Sequence, residues 1–557
     1  MDCTFINMKI SNLLWVSSTT LLLLGCSGSE PTGASLSSGQ AQGAKTYVVS
    51  HYAASRFAEQ ASMGPSPDLV DSIRRKGFAV WIDEQFTLPP TQLPKVPDIY
   101  RAPGGDDKTY TRTQFINQTV LAQDQLRTKM VWSLSQFLVI SQAKISGIAA
   151  VHWINLLFNN AFVDYGTLLT SLSTSPAMGW YLDNTWNRPK SAQCPWCEPN
   201  ENFARELMEL FSVGTTLINL DGSPKRDANG DKINTYSQRD VENMARALTG
   251  WQPIRSNKDV WGDTNDWTKP MEVSPDSFQH DWGSKTLLGK QISSGQNADQ
   301  DLKSVIQILV EHQNTAPFIA TRLIQHFVKS NPSSAYVLRV AKVFNNNGKG
   351  QKGDLRAVIK AILLDPEARE GDDPSKLLPQ DGKYKEPLLF YVQIWRGLGC
   401  RKVPADSTGR MVDQMDSQSP FMPETVFSFY SPHGIASGSD LPAPEQKLIN
   451  AQEFARRMGI ANIQWSPISR NDADSSLISL QNAGCEIDVM NQLYSKSIDA
   501  YLDFVSIRYF RGVMPASLRR ELKSINDSID SIEWVPTRRA LHLLQYALMS
   551  PYFGVIK

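Results

Sequence analysis

The 557-residue sequence contains no apolar run long enough to cross a bilayer, which takes about 20 residues. The run from Leu13 to Leu24 is shorter and is interrupted by four hydroxyl residues at positions 17–20. A run of this kind near the N-terminus is typical of a removable export signal rather than of a membrane-spanning helix. We therefore expect export without a transmembrane helix at this position.

An excess of one charge sign is also missing. Lys and Arg together number 56, and Asp and Glu together also number 56. Without a net positive field, we expect no nucleic-acid partner and no general attraction to anionic surfaces. The remaining composition, with 41% hydrophobic residues and 14 tryptophans, is sufficient for one large folded domain or two ordinary ones.

The residues that end the apolar run fit a lipoprotein processing site. Leu23-Leu24-Gly25-Cys26 matches a bacterial lipobox, in which a small residue precedes a cysteine that accepts a diacylglycerol thioether. We predict that residues 1–25 are a signal peptide and that residues 26–46 are a lipidated, Ser/Gly-rich tether. Two or more acyl chains, such as palmitate, hold a protein at a membrane surface. Because Ser27 is not an aspartate, we expect the outer membrane or the cell surface if the host has two membranes.

Cysteine is scarce, with six residues in the whole chain. After removal of the signal and lipidation of Cys26, four remain: Cys194, Cys197, Cys400 and Cys485. An even number in an exported protein suggests disulfides. The C-P-W-C sequence lies in a loop just before a helix, which favours a local disulfide, whereas thioredoxin-type redox pairs lie where a strand enters a helix. Half of a metal site is a further alternative, although a tetrahedral zinc site takes four ligands.

Alternating polar and apolar runs are few, so we predict a mainly α protein: a large multi-helix array with one small β-hairpin insertion. Ser66, Pro67 and Gly77 are typical of the cap, first turn and end of a helix over residues 66–76. Apolar stripes at helical spacing predict further helices over residues 78–86, 123–141, 316–329, 333–344, 354–364, 387–398 and 537–549.

A polar, turn-rich stretch at residues 371–385 is a candidate linker. It would divide an N-terminal helical part, residues 47–370, from a C-terminal helical part, residues 386–557. The alternative is one domain in which this stretch is a surface loop.

The predicted hairpin lies at residues 215–236 and carries acidic residues at its tip. Asp227, Asn229 and Asp231 occupy the spacing of the first ligands in an EF-hand loop. The match then ends, because Lys232 replaces the required glycine and Gln238 replaces the bidentate glutamate. Asn-Gly and Asp-Gly pairs are ordinary turn residues, so we interpret this segment as a turn.

Two predicted helices flank the hairpin, and both have one apolar and one charged face. The charged faces carry Arg205, Glu206, Asp240 and Arg246. One interpretation is a buried ion network that clamps the two helices together. The other is a pocket in which Glu206 or Asp240 serves as a general base or metal ligand while an arginine binds an anion. No nucleophile or histidine lies at a diagnostic spacing, and the sequence indicates no cofactor and no specific metal.

His280 and Asp281 are further candidate site residues, since a carboxylate next to a histidine can orient an imidazole or contribute to a metal shell. The alternative is a solvent-facing or structural histidine. Four tryptophans surround this segment: Trp251, Trp261, Trp267 and Trp282. They are either a platform for stacking sugars or a cover over the core. His152, His312, His326 and His542 lie in predicted helices and are interpreted as packing or surface residues.

Ordered sequence blocks along the mature chain resemble one bacterial family. Two blocks are the flanking helices, N-E-N-F-A-R-E-L-M-E-L-F from Asn200 and S-Q-R-D-V-E-N-M-A-R-A-L-T-G-W from Ser237. Others include W-I-D-E-Q-F from Trp81, N-T-A-P-F-I-A-T-R-L-I-Q from Asn314 and P-E-T-V-F-S-F-Y-S-P from Pro423. From about Ser50 onward, the chain resembles the family called domain of unknown function number 1800. The C-P-W-C insertion departs from the family pattern.

The resemblance implies an exported, mostly helical bacterial protein, often encoded beside a secreted protein of domain of unknown function number 1501. It implies no reaction. Together with the lipobox, it favours a binding or assembly protein of the envelope that acts with a co-exported partner. The first alternative is an extracytoplasmic hydrolase or metal-dependent enzyme that uses Arg205, Glu206, Asp240, Arg246, His280 and Asp281. The second is a redox protein that uses Cys194 and Cys197.

Overall fold

The computed structural model describes residues 47–102, 104–255, 265–378, 381–403, 415, 418–455, 457, 480–529 and 536–557. The lipobox, the tether up to residue 46 and Trp261 lie outside these described residues. The lipid anchor at Cys26 therefore stays a prediction.

Most described elements are α-helices, as predicted. They are α1 (His51–Ala61), α2 (Pro67–Lys76), α3 (Phe78–Thr87), α4 (Asp98–Arg101), α5 (Asp107–Leu121), α6 (Gln125–Ser135), α7 (Gly147–Asn160), α8 (Tyr165–Ser173), α9 (Pro176–Tyr181), α10 (Asn202–Glu209), α11 (Gln238–Ala247), α12 (Ala298–Glu311), α13 (Thr315–Phe327), α14 (Ser334–Asn345), α15 (Leu355–Leu364), α16 (Pro366–Glu370), α17 (Pro387–Gly397), α18 (Ile487–Lys496), α19 (Ile498–Tyr509), α20 (Ala516–Ser528) and α21 (Pro536–Met549). Short 3₁₀ helices span Ser277–Gln279, Pro374–Lys376 and Pro444–Leu448.

Local sequence signals set many of the helix ends. In α2, the Ser66 hydroxyl accepts a hydrogen bond from the Leu69 amide, Pro67 fills the first turn, and Gly77 ends the helix with φ +77°. Asp354 caps α15 in the same way, by accepting from two backbone amides. A side-chain acceptor at such a position satisfies amide groups that have no partner inside the helix.

Strands are short and form antiparallel pairs. They are β1 (Trp251–Gln252) with β2 (Glu272–Val273), β3 (Lys285–Leu287) with β4 (Lys290–Ile292), and β5 (Lys383–Tyr384) with β6 (Val555–Ile556). The predicted hairpin over residues 215–236 is present as isolated bridges, Thr216 with Asn234, Ile218 with Pro224 and Arg226 with Lys232. The three two-stranded sheets are additional to that hairpin and were not predicted.

Buried apolar side chains form one hydrophobic cluster, which includes the fully buried Trp132, Trp153 and Trp395. The cluster draws residues from both sides of the 371–385 stretch, and β5, at the end of that stretch, pairs with the C-terminal β6. The domain boundary there stays a prediction, and the shared core favours the alternative of one domain with a surface loop. Among the helices of the described chain, none is both long enough and apolar enough to cross a membrane.

Candidate functional site

Helices α10 and α11 pack against each other through their apolar faces. Phe203 and Leu207 of α10 are buried, as are Met244 and Ala247 of α11. This confirms the predicted division of each helix into a core face and a polar face.

The interpretation of the four charged side chains as one ion network does not hold, because the ion pairs of Arg205 and Arg246 are with other residues. Arg205 binds Glu201 one turn earlier, with Nη2 3.0 Å from Oε2, at the partly exposed start of α10. Asp240 completes a capping box with Ser237 and accepts a hydrogen bond from the Leu288 amide at 2.8 Å. Arg246 binds Asp281 instead. Arg205 and Asp240 thus bind groups on or next to their own turn of helix, whereas Arg246 binds a distant loop residue.

Glu206, on α10, has a carboxylate oxygen without a hydrogen-bond partner in the described part of the chain. The side chain is buried, and Oε2 has no hydrogen-bond partner among the described residues. Burial, followed by the neighbouring Glu209 carboxylate, raises the pKa of Glu206 to about 7, against a smaller opposing effect of Arg205. A carboxyl group of this kind is a candidate proton donor or acceptor near neutral pH.

A polar cluster, half-buried at Arg246 and fully buried at Lys285 and Asp301, forms where α11 meets β3 and α12. Arg246 donates from Nε and Nη2 to the two oxygens of Asp281, at 2.8 and 3.0 Å. Lys285 lies 2.6 Å from Asp301 and donates to the Asp281 carbonyl oxygen. Both members of the Lys285–Asp301 pair are excluded from water, with side chains 1% and 0% exposed.

His280 is a buried member of the same cluster. Its Nδ1 lies 2.9 Å from the Thr249 carbonyl oxygen, and its Nε2 lies 3.3 Å from Asp301 Oδ2. His280 and Asp281 therefore point to different partners, and together they join the loop to α11 and α12. This geometry matches the structural interpretation of the histidine, because the cluster joins the loop to α11 and α12.

The described tryptophans near this loop differ in their exposure. Trp251 is buried, Trp267 packs against the core, and Trp282 is partly exposed and packs edge-on against His280. Of the two alternatives that the sequence left open, the burial of Trp251 and the packing of Trp267 favour a cover over the core. Trp261 lies outside the described residues.

The C-P-W-C loop carries a disulfide and an exposed aromatic residue. Cys194 and Cys197 are bonded, with Cα atoms 5.3 Å apart, in the loop that precedes α10. The local disulfide is thus confirmed in its predicted place. Trp196, between the two cysteines, is 81% exposed. A second disulfide joins Cys400 to Cys485, a pairing that the sequence left open.

The hairpin tip is a turn, in agreement with the interpretation from sequence. Asp227 Oδ1 accepts hydrogen bonds from the amides of Asn229 and Asp231, at 2.9 and 3.0 Å. A carboxylate used in this way closes its own loop. No group of three or more His, Cys, Asp or Glu side chains within the described ranges is arranged to hold a metal ion.

A cleft that the sequence did not predict lies beside helix α13. It has an empty volume of about 510 Å³, including solvent at its mouth. The lining comes from the end of α6, from α13 and from the loops around residues 426–445: Gln136, Phe137, Leu210, Phe318, Arg322, Gln325, His326, Val426, Phe427, Tyr430, Pro432, Pro444 and Glu445. Leu210, at the end of α10, connects the cleft to the helix pair described above.

A buried charged network lies directly behind the cleft. Glu386 accepts hydrogen bonds from Trp132 and Gln418, each at 3.0 Å, from Lys383 at 3.0 Å and from Tyr430 at 3.3 Å. Burial alone would raise the pKa of Glu386, but Lys383 and the neighbouring cationic groups outweigh it and lower the pKa to about 2. Glu386 is thus a fully satisfied anion that fixes the position of the Tyr430 hydroxyl in the cleft wall.

Two further basic groups complete this region. Burial lowers the pKa of His326 to about 3 and that of Lys129 to about 7. His326 is therefore a neutral imidazole in the cleft wall. Its ring stacks on Phe137, in agreement with the interpretation as a packing residue. The signal for the cleft was the set Arg322, Gln325 and His326, which lie within one turn of each other on α13.

Comparison with known proteins supports one assignment. Neither the curated proteins nor the solved structures gave a match. The family model described as "Protein of unknown function (DUF1800)" matches residues 56–555, which is nearly the whole chain. The chain therefore belongs to the DUF1800 family.

Proposed function

We propose that this chain is a binding or assembly protein of the bacterial cell envelope, anchored by a lipid on Cys26 and acting with a co-exported protein. The supporting observation is Trp196. Its side chain is 81% exposed, yet the Cys194–Cys197 disulfide closes the loop on both sides of it. Tryptophan is enriched among the residues that dominate protein interfaces, and a loop that is already constrained loses little entropy on binding.

The surroundings of Trp196 support the same role. The loop leads into α10, where Glu201, Arg205 and Gln238 form a partly exposed polar network. An exposed aromatic side chain beside polar groups is the composition expected of an interface that forms between two separately folded proteins.

Affinity capture tests this proposal. The mature protein, tagged at its C-terminus and solubilised from native membranes, is expected to retain a stoichiometric exported protein. Trp196→Ala is expected to reduce retention at least tenfold without changing the midpoint of thermal unfolding. Trp282→Ala, which removes another partly exposed tryptophan, is the matched control. Equal retention by the wild type and by Trp196→Ala would contradict the proposal.

A second candidate function, hydrolysis of an extracytoplasmic substrate, is favoured by Glu206 alone. Its raised pKa and unpartnered oxygen suit a general acid or base. The other residues predicted for such a site have structural partners, as described above. An enzyme of this kind would lose turnover in Glu206→Gln while keeping its fold, whereas full turnover by that variant would exclude Glu206 as the catalytic group.

A further inference from the structure

We infer that the cleft between α13 and the 426–445 loops binds a carboxylate carried on an apolar group, and that Arg322 holds the carboxylate. This site is separate from the surface of the proposed function, because neither Trp196 nor the polar network of Glu201, Arg205 and Gln238 lines the cleft.

The Arg322 guanidinium is buried without an anionic partner. The residue is 7% exposed, and its Cζ lies 5.0 Å from the centre of the Phe318 ring. Nη1 donates to the Pro432 carbonyl oxygen at 3.0 Å and to Gln325 Oε1 at 3.4 Å. Across the described residues, no carboxylate lies within ion-pair distance, and Nε and Nη2 have no hydrogen-bond acceptor.

Nε and Nη2 of Arg322 are the nitrogens that can donate hydrogen bonds to a ligand. A buried cation without a counter-charge is costly, so a ligand that supplies one negative charge is bound favourably. The planar guanidinium can hold both oxygens of a carboxylate with parallel hydrogen bonds, which a lysine cannot do. Contact with Phe318 and the two bonds from Nη1 fix the plane of the group before the ligand arrives.

The walls of the cleft are mostly apolar, so they favour a ligand with an apolar group next to its carboxylate. Phe137, Leu210, Phe318, Val426 and Phe427 line the cleft together with two prolines. Sites for small organic ligands are mostly apolar with a few fixed polar groups, and the lining of this cleft has that composition. We therefore choose a benzyl group as the apolar part of the probe.

The other groups facing the cleft favour one negative charge over two. Glu445 is also in the lining, where Oε1 accepts from the Tyr384 amide at 3.1 Å and from the Ser330 hydroxyl. A second carboxylate in the cleft repels a dianion such as phosphate more than it repels a carboxylate. His326 is uncharged and offers ring nitrogens for hydrogen bonding, and Tyr430 is engaged by Glu386.

Titration calorimetry with the mature full-length protein tests the inference. Phenylacetate is expected to bind, and phenylacetamide, which has the same shape without the charge, is expected to bind at least tenfold more weakly. Inorganic phosphate is expected to bind more weakly than phenylacetate. Equal binding of the acid and the amide, or tighter binding of phosphate, would overturn the inference without the use of any variant.

Variants then locate the site. Arg322→Met is expected to abolish the preference for acid over amide, and Arg226→Met, at an exposed arginine of the hairpin, is expected to retain it. Because Arg322 is buried and its removal can disturb folding, Phe427→Ala at the exposed cleft rim provides an independent check: weaker binding of phenylacetate with an unchanged unfolding midpoint. Unchanged affinity in both Arg322→Met and Phe427→Ala would place the ligand elsewhere.

Two sources of carboxylate are then distinguished. A short peptide that ends in phenylalanine is compared with the same peptide bearing a C-terminal amide and with free phenylacetate. Tighter binding of the peptide acid indicates that the cleft recognises a protein C-terminus. Tighter binding of phenylacetate indicates a small organic acid. Failure of all three to bind would overturn the inference.

Discussion

At the scale of single residues, the described structure contains charged side chains that are buried in ion pairs. The Lys285–Asp301 pair is the clearest example, with both side chains almost fully buried and 2.6 Å between Nζ and Oδ2. Removing one partner of such a pair leaves the other as an uncompensated buried charge. The exposed pair Lys303–Asp299 has the same separation, but its side chains are 70% and 48% exposed.

We predict that Lys285→Met lowers the free energy of unfolding by about 3–5 kcal/mol, the usual cost of breaking a buried ion pair. Lys303→Met is the matched control and is expected to cost at most about 1 kcal/mol, because water and salt screen the exposed pair. Urea unfolding of both variants measures the difference. Equal destabilisation by the two substitutions would show that the buried cluster does not hold α11, β3 and α12 together.

Glu206 predicts a specific dependence of stability on pH. Its folded pKa of about 7 lies above the ordinary value of 4.5, so the folded protein binds this proton more tightly than the unfolded chain. The stability contributed by the proton is present below pH 4.5 and is lost as the pH rises through about 7. Glu206→Gln, which stays neutral, is expected to match the wild type near pH 4.5 and to be more stable above pH 7. Urea unfolding at each pH measures the difference. If the free energies of unfolding of the wild type and of Glu206→Gln changed by the same amount across this pH range, the assigned burial of Glu206 would be contradicted.

Sequence alone predicted residue contacts only where the partners are close in the chain. The Cys194–Cys197 disulfide and the Asp227 turn were predicted because each closes a loop of a few residues with known chemistry. Arg246 binds Asp281, 35 residues away, and Arg322 binds the Pro432 carbonyl, 110 residues away. A helical pattern shows which face is polar but not which distant group will contact it. The partner of Arg246 and the cleft around Arg322 were therefore not predicted.

At the scale of elements, the two disulfides make different contributions. Cys400, just after α17, is joined to Cys485, just before α18, across a sequence separation of 85. The Cys194–Cys197 bond closes only the loop before α10. In the chain-entropy model, the stabilisation grows with the length of the loop that is closed.

We predict that Cys400→Ser with Cys485→Ser costs about 4–5 kcal/mol, whereas Cys194→Ser with Cys197→Ser costs about 2 kcal/mol or less. Chemical denaturation of the two double variants, each compared with the oxidised wild type, measures the difference. A larger loss from the short loop would show that the Trp196 loop contributes to the core rather than to a surface.

Helices were predictable from sequence because their signals are local. Ser66 with Gly77, and Asp354 before an apolar stripe, define the helix ends to within a residue or so. The two-stranded sheets were not predictable for the opposite reason. Their strands are two or three residues long, which is too short for an alternating pattern. In addition, β5 pairs with β6, which follows α21 and is far from β5 in the sequence.

At the scale of the whole molecule, the proposed function requires that the folded body be held at a membrane by its N-terminus. We predict that Cys26→Ser moves the protein from the membrane fraction to the soluble fraction of the envelope, because the substituted chain cannot accept the diacylglycerol thioether. Metabolic labelling with a fatty acid and fractionation of both forms test this. Retention of Cys26→Ser in the membrane fraction would contradict lipid anchoring.

Site-specific photo-crosslinking in living cells tests the central claim, that this is a binding protein whose contact surface includes the disulfide-closed loop. A photoreactive phenylalanine analogue is placed at Trp196, and in a parallel strain at Tyr552, which is 51% exposed on the C-terminal segment. We predict one predominant crosslink to an exported protein from position 196 and none from position 552. No crosslink from position 196, or the same products from both positions, would contradict it.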